Sequence, residues 1–146
     1  MSEDGGMAEE ATLHRARVSW DVGREDLRAH TIELAQQRFA ASSAPEFGGD
    51  PAKADPEELF VASLSSCHML WFLALARAER LRVTAYEDEP EGTMDATRFT
   101  RVVLRPRVLF DQDPGAERIE DLHRRAHERC FIANSVSCPV VVEPLP

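Results

Sequence analysis

Cys67 and Cys130 are the residues of this chain best suited by type and setting to do chemistry. Cys67 lies in PEELFVASLSSCHML, within the apolar run from Leu59 to Ala78, and Cys130 closes the amphipathic stretch LHRRAHERC ahead of FIANS. A thiol among apolar groups is ordinarily inert. A thiol that ionises and has a second thiol to condense with is redox machinery, because it can pass to a sulfenic acid and then to a disulfide. The third cysteine, Cys138, precedes Pro139 in a strand-like segment and has no evident role.

Ionising Cys67 needs a positive neighbour. The predicted helix begins near Asp55-Pro56-Glu57-Glu58, so Cys67 follows about three turns of it. A helix N-terminus lowers a thiol pKa only over its first turn. A cation from elsewhere must act, and Arg24, Arg28 and Arg38 in the preceding segment are the candidates. Glu57 stands about 15 Å of axial rise before Cys67 and roughly 80° around the helix. It therefore reaches that thiol only across a symmetric interface or after a kink; in its own first turn it complements the macrodipole.

A rival constellation overlaps the second cysteine. His123, His127 and Cys130 read H-x3-H-x2-C, and two histidines four apart on a helix can share a metal. His68 or Cys67 could join such a site, though no fourth ligand is evident from spacing. A Gly-rich phosphate loop, a nucleophile elbow and a Ser-His-Asp order are all missing, so no nucleotide or other cofactor is expected.

The elements that must position these groups follow from periodicity. Ala16, Val18 and Trp20 alternate with polar residues, predicting a half-buried strand, and 30–39 predicts another. Residues 41–55 are rich in Ser, Ala, Gly and Pro and predict a loop. Asp55 as cap, Pro56 in the first turn and two following acids predict a helix that runs to about Arg80. A third strand starts near Leu81, and Glu87–Gly92 predicts an acidic turn. Residues 98–110 alternate clearly as a strand, with Pro106 marking an edge or a bulge. Ile119, Leu122, Ala126 and Cys130 form one stripe of a helix over 116–130, and 136–142 predicts a last strand. The fold class is α+β with largely antiparallel sheet, in a single domain over 12–146 after a disordered tail, 1–11. So apolar a central helix is hard to cover with these strands alone, which points to a homodimer.

Composition narrows the partners. The net charge of -9, with no Lys/Arg cluster, makes nucleic acid and anionic membranes poor partners. The polar residues Ser63, Ser65, Ser66 and His68 argue for a buried helix rather than a membrane span. The N-terminus lacks a basic n-region and an apolar h-region, so a cytoplasmic, reducing setting is expected for the cysteines.

The stretches SAPEFGGDPAKADPEELFVASLSSCHMLWFLALA and LHRRAHERCFIANSV resemble the OsmC/Ohr family of osmotically inducible and organic hydroperoxide resistance proteins, closer in wording to the OsmC-like branch. The resemblance spans residues 12–144. It implies an intertwined homodimer in which antiparallel sheets enclose two long central helices, with active sites at the subunit interface. It also implies a thiol peroxidase: Cys67 as peroxidatic and Cys130 as resolving cysteine, Glu57 as the active-site glutamate, and Arg28, with Arg38 second, as its arginine partner. The expected substrate is an alkyl or fatty-acid hydroperoxide, held by apolar residues drawn from Phe39, Phe47, Phe60, Met69, Trp71 and Phe131. The expected reductant is a small dithiol, a dihydrolipoyl group or lipoylated protein. A metal-binding module at His123, His127 and Cys130, and a non-catalytic dimeric binder of apolar ligands, are the competing readings.

Overall fold

A computed structural model describes residues 10–146, and all but Glu10 and Ala11 of the expected N-terminal tail lie outside that range. The chain forms two compact units, one ending at Pro56 and one spanning Glu57–Pro146.

The first unit is an antiparallel sheet of β1 (Arg17–Ser19), β2 (His30–Leu34) and β3 (Gln37–Ala41), in that order. The single strand expected over 30–39 is a hairpin instead. It turns at Ala35 and Gln36, between the paired residues Leu34 and Gln37. Ala35 takes φ 54° there, a left-handed conformation for which glycine is the usual signal, so the sequence concealed the turn. Val18 is 66% exposed and Trp20 43%, so the expected half-buried face of β1 is uncovered in the single chain. The Ser/Ala/Gly/Pro-rich segment is a loop, as expected, and contains one 3-10 turn, Pro45–Phe47. It is pinned by backbone bonds from Ser42 N to Ala54 O (2.9 Å) and from Gly49 N to Ala44 O (3.1 Å). A Cβ at Gly49 would lie 1.6 Å from the Ser43 carbonyl oxygen, so only glycine fits.

The second unit is built on the long helix α1 (Pro56–Ala78). Pro56 opens it, and Glu57 and Glu58 occupy its positively polarised first turn. It ends two residues short of the expected boundary. Arg80 adopts φ 60°, Leu81 N–H donates to Ala76 O (2.9 Å) and Arg80 N–H donates to Arg77 O (2.9 Å). That is a Schellman cap with arginine at the left-handed position where glycine is usual.

Two small sheets and a second helix complete the unit. β4 (Val83–Glu87) pairs antiparallel with β7 (Arg107–Phe110). β5 (Glu91–Met94) pairs antiparallel with β6 (Phe99–Leu104), which pairs in parallel with β8 (Val140–Val142). The strand expected over 98–110 is thus two strands in different sheets, parted at Arg105-Pro106, because proline cannot continue the ladder. Part of the expected acidic turn is strand β5. The helix α2 (Ala116–Arg129) presents Leu122, His123 and Ala126 to the interior. Phe72, Leu75 and Ala76 of α1 pack with Leu122 and Ala126 of α2, while Leu64 packs with Val102 and Leu104 of β6. The fold is α+β with chiefly antiparallel pairing, as the sequence predicts.

One side of α1 stays uncovered. Leu70 is 60% exposed, and Ala62, Ser66 and Ala74, spaced four apart with it, are exposed as well. The core side carries Leu64, His68, Phe72, Leu75 and Ala76.

Candidate functional site

Cys67 is half-buried on α1, and Cys130 is 2% exposed at the residue that terminates α2. α2 stops there because Cys130 leaves helical geometry (φ -64°, ψ 112°), which swings the chain into the 3-10 turn Ala133–Ser135. The two thiols are neighbours: Cys67 lies near enough to Cys130 to help hold its thiol protonated. Cys130 Sγ also accepts from Ala133 N–H at 3.4 Å. Burial, with a smaller contribution from Cys67, pushes the Cys130 thiol up to about 11. All three cysteines are free thiols. Cys138 is half-buried against the Leu64, Val102 and Leu104 cluster, where it serves as packing.

Aromatic and cationic groups flank the thiol pair. Trp71 lies one turn beyond Cys67 and meets Phe131 edge-on, with ring centroids 5.5 Å apart. Arg129 is placed 5.7 Å over the Trp71 ring. Phe131 is 61% exposed, so this cluster opens to solvent. Of the other expected aromatics, Phe60 stacks on Phe99 at 4.6 Å within the core, and Phe47 is exposed on its loop in the first unit.

The remaining expected residues are placed as follows. Glu57 is half-buried in the first turn of α1. Arg28 belongs to the first unit, where its Nε donates to the Phe47 carbonyl at 2.8 Å and its guanidinium packs over Gly48. Gly48 has φ 85°, and a Cβ there would approach the guanidinium to 3.0 Å. Arg38 is exposed on β3, opposite Glu33. Arg24 donates to Thr31 Oγ1 at 2.7 Å.

The histidines depart from the metal-site expectation. His123 Nδ1 is hydrogen-bonded to His68 Nε2 at 3.0 Å, with the rings nearly parallel. Among the described residues no three His, Cys, Asp or Glu side chains cluster as a metal site would require. The pair is buried, at 1% and 3% exposure. Burial depresses His68 to about 3, reinforced by His123 and His127, and depresses His123 to about 4. From sequence, His68 stands beside His123 only as a further metal ligand, not as a buried hydrogen-bonded partner. Its signal was the spacing Leu64, His68, Phe72, which puts His68 on the core stripe of α1.

Comparison with known proteins adds a family to this geometry. The OsmC family, described as OsmC-like protein, matches residues 48–144. A solved OsmC-like protein of unknown function from Vibrio cholerae is 39% identical, with TM-score 0.84, over 92% of this chain and 100% of that one. An organic hydroperoxide resistance protein from Elizabethkingia anophelis shares the fold at 18% identity, with TM-score 0.68, over 93% of this chain and 100% of its own. A Legionella pneumophila protein described as an organic hydroperoxide resistance protein OsmC shares it at 20% identity, with TM-score 0.71, over 93% and 97%. No curated protein sequence matches the chain.

Proposed function

The chain belongs to the OsmC-like family, and from that premise we propose that it is a cysteine-based thiol peroxidase that reduces organic hydroperoxides, alkyl or fatty-acid, to alcohols. One observation carries the reading: two free thiols, one on α1 and one at the end of α2, are electrostatic neighbours, beside apolar and cationic groups.

In this reading the Cys67 thiolate attacks the distal oxygen of the hydroperoxide. The O–O bond breaks, the alkoxide leaves and takes a proton as the alcohol, and Cys67 becomes a sulfenic acid. Arg28, held by Glu57 in a bidentate pair, stabilises the thiolate and the charge developing on the leaving oxygen. Cys130 then condenses with the sulfenic acid, so that an S–S bond forms and water leaves. A dithiol reductant, of the dihydrolipoyl type, returns both cysteines to thiols by exchange and is itself oxidised to a disulfide. Residues 12–146 act as one domain within an intertwined homodimer in the reducing cytoplasm, and the uncovered side of α1 meets its copy.

The test is consumption of cumene hydroperoxide with dihydrolipoamide, together with a thiol count. One equivalent of peroxide should remove two free thiols per chain. Cys67→Ser should reduce turnover to background, while Cys130→Ser should keep a single turnover ending in a dimedone-reactive sulfenic acid. Full turnover by Cys67→Ser would end the proposal, and slow turnover by Arg38→Ala with normal turnover by Arg28→Ala would move the arginine assignment.

A further inference from the structure

His68 and His123 are buried and take no part in the thiol chemistry, yet each shares a helix with one of the two cysteines. His68 follows Cys67 directly on α1, and His123 stands two turns, about 10 Å, before Cys130 at the end of α2. The two rings lie within 6° of parallel, with centroids 5.2 Å apart and nitrogens at 3.0 Å, so the bond runs edge to edge. Phe72, one turn beyond His68, braces the His123 ring at 4.3 Å between centroids.

The other ties between α1 and α2 fix position along the helix axes less sharply. Phe72, Leu75 and Ala76 pack on Leu122 and Ala126, and hydrophobic contact has no direction. Glu79, just past the far end of α1, pairs with Arg118 and Arg125 through long, partly exposed side chains. A hydrogen bond is stricter, since it tolerates only a few tenths of an ångström and a limited angle. The pair is also a costly way to join two helices. His68 Nδ1 and His123 Nε2 are buried without partners, whereas two apolar side chains would leave no polar atom unsatisfied. Setting register is the best-attested use of such buried polar groups.

Register matters to the cysteines. A disulfide accepts Cβ–Cβ separations of roughly 3.5 to 4.5 Å. Sliding α2 by one residue would carry Cys130 about 1.5 Å along its axis, more than that whole range. We propose that the His68–His123 bond locks the register between α1 and α2, and that both histidines are positioning residues: they hold Cys130 where it can close a disulfide with Cys67. The inference rests on the proposed thiol reaction and adds two residues that this reaction needs without their touching substrate or sulfur.

The experiment equilibrates the full-length protein in glutathione buffers of varied oxidised-to-reduced ratio. One oxidised glutathione takes up the two electrons. Cys67 displaces one glutathione thiol to form a mixed disulfide, Cys130 displaces the second, and the protein keeps the S–S bond. Alkylation and peptide mass mapping give the fraction linked from Cys67 to Cys130, and hence the effective concentration of one thiol at the other. In His68→Phe/His123→Phe both rings change together, so no imidazole is left unpaired, and the effective concentration should fall about tenfold. His68→Leu/His123→Leu tests the same loss with side chains of another shape. In His68→Gln the amide takes the place of Nε2 and still bonds His123, so the value should stay within about twofold of wild type. Urea midpoints are read beside each value. A wild-type effective concentration in either apolar double variant overturns the proposal, whatever its stability, because a pair that only stabilises the fold would behave so. A fall in His68→Gln as large as in the double variants overturns it too, since the bond would then not be what matters. No peroxide is consumed in any arm. The peroxidase reading fails separately, when the unaltered protein leaves cumene hydroperoxide intact.

Discussion

Cys130, at the point where α2 ends, neighbours Cys67 of α1, and the two differ in setting: Cys130 is buried at 2% exposure, while Cys67 is half-buried. The burial has a kinetic consequence. Cys130 is held up near 11 and is therefore overwhelmingly protonated at neutral pH. If the thiolate is the attacking species, condensation with a Cys67 sulfenic acid should speed up about tenfold per pH unit from pH 7 to 9. Stopped-flow fluorescence of Trp71, one turn from Cys67, should report that step after a single peroxide pulse. A rate independent of pH across this window would show that Cys130 reacts without prior ionisation.

His68 and His123 make stability depend on mild acid. Both are depressed in the fold below the ordinary histidine value, to about 3 and about 4. Below about pH 6.5 the unfolded chain therefore takes up protons that the folded chain refuses. Stability is full above that pH and falls as pH drops toward 4, with a slope of at most about 2.7 kcal/mol per pH unit for two groups. Urea unfolding at pH 7.5, 6 and 5 should show the midpoint falling stepwise. In His68→Phe/His123→Phe the fall over the same range should largely vanish; an unchanged fall would place the acid sensitivity elsewhere.

The sequence made the site more legible than the sheets. The helix around Cys67 is legible because proline, two acids and a long apolar run agree on its start and its burial. The stripe Leu122, Ala126, Cys130 pointed the second cysteine inward, and the structure buries all three. The sheet boundaries were harder to read. The β2–β3 hairpin turns on an alanine with positive φ, a conformation with no composition signal. The break at Pro106 was visible, but its outcome, two strands in separate sheets, depends on long-range pairing with β4 and β8. In the rival reading His123 is a metal ligand because its nearest histidine in sequence is His127. Its partner in the structure is His68, on another helix, a pairing that local spacing does not encode.

The cap of α1 offers a stabilising substitution. Arg80 holds φ 60° with both Schellman bonds formed, so its backbone geometry is set while its side chain opposes it. A non-glycine residue in this conformation costs about 1 kcal/mol or slightly more. Arg80→Gly should therefore raise unfolding free energy by roughly 1 kcal/mol, read as a higher urea midpoint at unchanged slope. A lower midpoint would mean that the Arg80 side chain contributes more than its backbone strain.

Leu70 is the sharpest probe of assembly. It is 60% exposed in the middle of an apolar helix, flanked at four-residue spacing by Ser66 and Ala74, whose small side chains let another helix approach closely. Burying a leucine at a subunit contact is favourable by about 1.5–3 kcal/mol, and a charge placed there adds a desolvation cost. Leu70→Glu should weaken self-association at least about 100-fold, measured by sedimentation velocity across micromolar concentrations. Because the proposed active site lies at the interface, peroxide consumption should fall in parallel with the dimer fraction. Surface substitution of Glu120, on the exposed side of α2, should leave both unchanged. A Leu70→Glu protein that stays dimeric would put the contact on another face, and a fully monomeric one with undiminished activity would show that each chain completes its own site.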